Sequence, residues 1–409
     1  MINFSRHILS NGLTVFHSKN AVTGMVAVNL LYKVGSRDED CQHTGLAHFV
    51  EHLMFGGSLH AKNFDQIIQE AGGESNAWTN ADITNFYELL PVQNIETALW
   101  LEADRMENLL LSDRTIEVQR SVVQEEFKQR CLNTPYGDSW HLLRDLCYEK
   151  HPYRWPVIGK CLSDIENVSA DTIRAFYSDF YVPNNAILSI VGNIDADIVF
   201  GMAEKCFGAI PTGSKTKPIL IQEERQTKAK SLVVERNMPH KMLLRAYHMC
   251  ERCHSDYYVC DLISDVLSNG RSSRMYRNIY APGKLVASID ASISGDTDPG
   301  LFLIKAQLLP GVDYSEVEEA IDKEISMLIK SGVDFDELNK YYNKYEANHM
   351  FLNLNNDDLA SNLGYYEMLG DASLINGEIE RYRLVSSRDV SKVASVIFDK
   401  DNSTTLYYS

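Results

Sequence analysis

The stretch His48-Phe49-Val50-Glu51-His52 decides how the rest of this chain is read. On a helix, residues four apart stand one above the other, so His48 and His52 present both imidazoles to one side. Glu51, three residues after His48, falls on nearly the same face. Two neutral imidazoles suit a borderline-soft divalent cation, zinc above all, and a neighbouring carboxylate can take a proton from a metal-bound water. A catalytic zinc takes three protein ligands and keeps a fourth position open, so a third ligand is expected elsewhere. The stretch 115–130 reads as a helix with two adjacent acids, Glu125 and Glu126. Spacing alone does not choose between them.

The residues around these positions form a longer pattern. Thr44-Gly45-Leu46-Ala47 leads into the motif and Leu53-Met54-Phe55-Gly56-Gly57-Ser58 follows it. Gly72-Gly73 precedes Asn76-Ala77-Trp78-Thr79, and Asp82, Thr84 and Tyr87 come next. Arg120-Ser121-Val122-Val123-Gln124-Glu125-Glu126, His151-Pro152-Tyr153, Ile158-Gly159 and Phe180-Tyr181-Val182-Pro183-Asn184-Asn185-Ala186 complete it. In this pattern the sequence resembles the M16 metallopeptidases (pitrilysin, insulin-degrading enzyme, the mitochondrial processing peptidase), in which H-x-x-E-H is followed by a metal-binding glutamate on a second helix.

The resemblance implies that His48, His52 and Glu126 hold one Zn2+ and that Glu51 is the general base of an endopeptidase. Alignment on Arg120 and Val123 selects Glu126 and leaves Glu125 as its outward neighbour. It also implies that Asn76 and Ala77 lie on an edge strand that pairs with an extended substrate backbone. His43 and His60 are expected to be surface or supporting residues. Two departures stand out. Gln119 occupies a position where many members carry a further acid. The family also uses an Arg and a Tyr from its metal-free half to hold substrate: Arg271, Arg274 and Arg277 are available, with Tyr276 nearby, but Lys284-Leu285-Val286-Ala287-Ser288 stands where the Tyr is expected. The family encloses peptides between two such two-domain units, so a homodimer or a heterodimer with a similar chain is expected. A non-catalytic peptide-binding subunit is the rival reading.

A chain of 409 residues exceeds one ordinary core and fits two domains. A net charge of −17 argues against nucleic acid as a partner. The first twenty residues contain no apolar signal core, and no apolar run reaches the roughly 18 residues that span a bilayer. Eight cysteines without framework spacing read as reduced thiols, so a cytoplasmic location is expected. Cys250-Glu251-Arg252-Cys253-His254 matches a haem-attachment pattern, but it falls in an expected loop of a chain without an export signal and is read as coincidence.

Two halves are expected. Residues 1–210 form the metal-binding domain, 211–222 the linker (Pro211-Thr212-Gly213-Ser214 at its start) and 223–409 a homologous domain without metal ligands. Val168-Ser169-Ala170-Asp171 and Val385-Ser386-Ser387-Arg388-Asp389 open similar helices 217 residues apart, each followed by an Asn-containing turn and a strand. Asp261 and Asp265 stand in the helix that takes the place of the motif helix. The fold class is therefore α+β: two homologous α/β sandwiches, each a mainly antiparallel sheet packed with helices. Thr44 is the expected N-cap of the motif helix.

Overall fold

A computed structural model describes residues 1–214 and 221–409; the remainder of the expected linker, 215–220, lies outside the described residues. The chain folds into two compact units. The first holds Met1–Arg130, Trp155–Leu220 and Met350–Asn376, and the second holds Cys131–Arg154, Ile221–His349 and Gly377–Ser409. The chain thus passes from one unit to the other within the expected linker, but that single cut does not describe the units. Residues 131–154 leave the first half for the second unit, and residues 350–376 return to the first.

The first unit contains β1 (Ser5–Ile8), β2 (Thr14–Lys19), β3 (Met25–Tyr32), β4 (Glu74–Thr79), β5 (Thr84–Pro91) and β6 (Ala186–Gly192), in the sheet order β1-β2-β6-β3-β5-β4. Only β2 and β6 run parallel; the other pairs are antiparallel. Strand β3 is almost uniformly apolar and β6 is buried along its whole length. Such strands are covered on both faces. One cover is the helix Asn356–Met368, whose Leu359, Ala360, Leu363 and Tyr366 pack on Ala27, Leu31, Ile187 and Val191. Asn356 Nδ2 donates to Met25 O at 2.9 Å and fixes its start. This helix lies in a stretch for which the sequence offered no reading.

The second unit contains β7 (Lys230–Val234), β8 (Met242–His248), β9 (Val286–Ile293), β10 (Leu301–Leu308) and β11 (Ser403–Tyr408), ordered β7-β11-β8-β10-β9. Its one parallel pair is β7 with β11. Set beside β2-β6-β3-β5-β4, the order and directions are the same, so the two units share one topology and β1 is an addition. The repeat extends to single hydrogen bonds. Ser169 and Ser386 each cap a helix, accepting from Thr172 N and Asp389 N. Asn185 and Asn402 each donate Nδ2 at 2.8 Å to the last residue of that helix, Phe180 O and Ile397 O.

In the second unit the helix Tyr257–Ser268 packs on β9 and carries Asp261 and Asp265. Asp261 accepts the Tyr382 hydroxyl at 2.5 Å. Burial pushes its carboxyl pKa up to about 6, against the Tyr382 hydrogen bond. A carboxyl with a raised folded-state pKa contributes stability that is full below its unfolded value and is lost as pH rises through the folded one. Asp261→Asn removes that loss. From pH 5 to 7.5 the wild type should therefore lose about 1 kcal/mol relative to the variant, measured by denaturant unfolding at each pH.

Candidate metal centre

The motif helix, Leu46–Met54, begins after a chain reversal that only glycine makes easily. Gly45 has φ +90°, and an added Cβ would sit 3.0 Å from Ile158 O, beside Gly159, whose own φ is +99°. Two glycine backbones thus meet at van der Waals distance, which accounts for both sequence positions. The expected N-cap is not Thr44. Its hydroxyl donates to Asp164 Oδ2 at 2.5 Å and accepts from Lys160 N at 2.8 Å. The cap comes instead from Glu39, whose carboxylate accepts Gly45 N at 2.8 Å and Ala47 N at 2.9 Å. Its two oxygens satisfy the first-turn amides; burial pushes the Glu39 pKa well above its ordinary value, and these two hydrogen bonds oppose the rise. A cap six residues upstream has no local signature in the sequence.

The second helix, Asp113–Phe127, is capped by Ser112, which accepts from Thr115 N at 3.1 Å. It buries Ile116, Arg120, Val123 and Phe127, a stripe at helical spacing. Buried Arg120 donates to Ile165 O and Val168 O, the free carbonyls ending the helix Leu162–Asn167. Its guanidinium also lies over the ring of Phe49, 5.6 Å from the centroid, and so ties this helix to the motif helix.

That packing sends the two acids in different directions. Glu125 is exposed and pairs with Lys128 at 2.6 Å. Glu126 faces the histidines: its Oε2 lies 3.1 Å from His52 Nε2 and 3.7 Å from His48 Nε2. One ligand atom from each of His48, His52 and Glu126 falls within 4.8 Å of the others, the one such group among the described residues. The imidazole rings stand edge to face with centroids 4.7 Å apart. Burial and the neighbouring His52 hold the His48 pKa down to about 4, so its ring is neutral and free to donate a lone pair. The hydrogen bond to His52 holds the Glu126 carboxyl below its ordinary value, hence ionised. Its other oxygen, Oε1, meets Arg130 Nη1 at 2.9 Å. Two imidazoles and one carboxylate converging on a single point fit a divalent cation of zinc's character.

Glu51 accepts the Thr79 hydroxyl at 2.5 Å through Oε2. Thr79 closes β4 and continues the polar chain to Thr84 Oγ1 at 3.5 Å. Burial raises the Glu51 pKa, and the Thr79 hydrogen bond opposes the rise. Thr79 was visible in the sequence only as part of the motif Asn76-Ala77-Trp78-Thr79, without a role of its own.

The other sequence candidates lie as follows. Asn76 is exposed on β4, the edge strand of its sheet, with its Oδ1 accepting the amide of Ala77. Arg271 and Arg277 are exposed in the second unit. Arg274 of that unit is engaged with Glu337 at 2.7 Å and Gly332 O at 2.8 Å, and Tyr276 packs against Tyr280 with ring centroids 5.1 Å apart. His60 pairs with Asp104 and is no part of the three-residue group. Neither Cys250 nor Cys253 forms a disulfide, and His254 Nδ1 accepts the amide of Asp256.

Glu39→Ala would leave two helix-end amides without an acceptor in a buried setting. It should lower unfolding free energy by about 2–3 kcal/mol. Amide exchange should accelerate first in residues 46–54, measured by mass-resolved hydrogen exchange.

Residues 14–135 match the family model described as "Insulinase (Peptidase family M16)", and residues 167–345 match that described as "Peptidase M16 inactive domain". The chain is 29% identical over 405 residues to the "Zinc protease PqqE" of Helicobacter pylori, covering 98% of this chain and 91% of the relative. It is 23% identical over 404 residues to the "Uncharacterized zinc protease YmxG" of Bacillus subtilis, covering 98% and 97%. Among solved structures, that of a protease from Helicobacter pylori superposes with a TM-score of 0.95 at 28% identity, over the full length of both chains. Pitrilysin shares the fold at a TM-score of 0.77 and 19% identity, this chain matching 45% of its length. With both halves matched and the His48–Glu51–His52 helix set against Glu126, the chain belongs to peptidase family M16.

Proposed function

We propose that this chain is a zinc-dependent endopeptidase acting on peptides and small unfolded proteins. The observation that carries the reading is the convergence of His48 Nε2, His52 Nε2 and a Glu126 carboxylate oxygen within 4.8 Å, with Glu51 on the same helix face. His48, His52 and Glu126 would hold the zinc, which when bound would supply a Lewis acid and a water of lowered pKa. Glu51 is the residue placed to take up a proton beside that site and to pass it to a leaving amine. Thr79 holds Oε2 of Glu51, which leaves Oε1 for the proton. Neutral His48 and ionised Glu126 are the protonation states that ligation requires, and both are favoured by their surroundings.

Substrate binding follows from the sheet edge. Strand β4 pairs with β5 on one side only, and the motif helix packs against it. An extended peptide adding to that edge at Asn76 and Ala77 would run past Glu51. The reading includes a two-chain assembly, homodimeric or with a similar chain that supplies the expected Tyr. It also includes a cytoplasmic location, with which eight cysteines outside any disulfide agree; no described helix is long and apolar enough to cross a membrane.

Glu51→Gln is expected to retain one zinc per chain while kcat on a quenched peptide library falls at least about 100-fold. Stoichiometric zinc with no Glu51-dependent cleavage would instead favour a non-catalytic peptide-binding subunit. His52→Ala and Glu126→Gln should each lose zinc at micromolar chelator while the apo melting temperature stays near that of the wild type. Metal analysis and a thermal melt check this. A solution mass of one chain with full activity would overturn the two-chain part of the reading.

A further inference from the structure

Two chain segments connect the metal-centre helices to the rest of the first unit, and they are fastened to each other. After Met54, the segment 57–59 runs antiparallel to 108–110. Ser58 bridges Leu109, Leu59 N donates to Asn108 O at 3.0 Å, and Leu110 N donates to Gly57 O at 3.1 Å. Met54 ends the motif helix three residues before this junction, and Asp113 opens the Glu126 helix three residues after it. The junction therefore sets where one helix stops and the other starts.

Asp104, in the last turn of the helix Ile95–Glu107, holds the junction. Its carboxylate is 3% exposed and receives four donors. They are the Ser58 hydroxyl, His60 N at 3.1 Å, His60 Nδ1 at 2.6 Å and Asn108 Nδ2 at 3.1 Å. These donors hold its pKa below the ordinary aspartate value although burial opposes this. A buried carboxylate with four donors has one arrangement that satisfies it. Two donor residues lie after the motif helix and one lies before the Glu126 helix. Tyr177 closes the same helix end, its hydroxyl donating to Arg105 O at 2.8 Å and Met106 O at 2.7 Å. None of Ser58, His60 or Asp104 belongs to the ligand group.

We propose that Ser58, His60 and Asp104 form a clasp that positions the two ligand-bearing helices, making His60 and Asp104 positioning residues for the metal centre. The inference rests on the zinc reading for its consequence and on the clasp geometry for its cause. The 48/52 pair and Glu126 sit on different helices, and nothing in either helix alone fixes the 3.1 and 3.7 Å separations between them. The clasp acts at the common junction. Supporting hydrogen bonds that orient metal ligands are worth about 10–100-fold in affinity, and a clasp one step further out belongs at the low end.

The test compares the full chain with Asp104→Asn, His60→Ala, His60→Gln and Ser58→Ala, with Asn11→Ala as a control. Asn11 is buried in the same unit and donates to Phe207 O and Ile210 O, away from the junction. The His60 side chain is 59% exposed, so His60→Ala removes its side-chain contact without opening a core cavity and keeps the test usable if Asp104→Asn does not fold. Zinc affinity is read by competition with a chromophoric chelator, and hydrogen exchange is read on the metal-free protein. The clasp predicts zinc binding weakened about tenfold in Asp104→Asn and His60→Ala, partial rescue in His60→Gln, and no change in Asn11→Ala. It also predicts faster exchange in 46–54 and 113–127 with strands β3 and β6 unchanged. Zinc affinity within twofold of wild type in folded His60→Ala, or exchange unchanged in both helices, overturns it. If the wild type binds no zinc, the peptidase reading fails, and exchange in the metal-free chain still decides the clasp.

Discussion

A carboxylate lies against two imidazoles set edge to face, and the rest of the first unit exists to keep it there. His48 and His52 come from one helix and Glu126 from another, so their meeting is a tertiary event. The half-buried Glu126 anion has Arg130 on one oxygen, and its other oxygen lies 3.1 Å from His52 Nε2 and 3.7 Å from His48 Nε2. In water such groups would drift apart. Here the helix backbones are locked, and the side chains have little freedom left to lose on binding an ion.

The locking devices are polar contacts at helix ends. Glu39 closes the start of the motif helix, Arg120 joins the second helix to the carbonyls ending its neighbour, and Asp104 gathers the junction between them. Each satisfies backbone or side-chain groups that burial would otherwise leave without partners. Behind them, β5 contributes Glu88 to a buried cluster with Arg105 and Glu102, and the Arg105 guanidinium sits among Phe55, Phe64 and Phe86. Two carboxyl groups share one guanidinium there, and burial, with Glu102 beside it, keeps the Glu88 pKa well above its ordinary value. Breaking such a cluster by removing one member is costly, so it fixes one packing of helix on sheet.

The two units keep the same strand order, the same single parallel pair and the same Asn-to-carbonyl bond after the last helix. Their difference is chemical. Where the first unit has a histidine-bearing helix, the second has Asp261 and Asp265, with Asp261 held by Tyr382. A shared backbone thus carries a His-His-Glu cluster in one copy and a structural hydrogen bond in the other, and side chains alone draw that distinction.

Much of this was legible in the sequence because its causes are local. The i, i+4 histidines, the helix read over 115–130 and the 217-residue repeat all follow from local residue order. The resemblance added the pairing of the motif with Glu126. Tertiary structure decided what depends on residues distant in the chain. Glu39 replaces Thr44 as the cap, because a carboxylate brought back by the loop reaches two amides while Thr44 is drawn to Asp164. Helix Asn356–Met368 covers the sheet of the other half, because β3 and β6 are apolar on both faces and only a returning segment closes the second face. Thr79 and Asp104 gain their roles in the same way. Periodicity names the elements and their inward faces; which partners those faces meet is set by long-range packing, for which no local pattern exists.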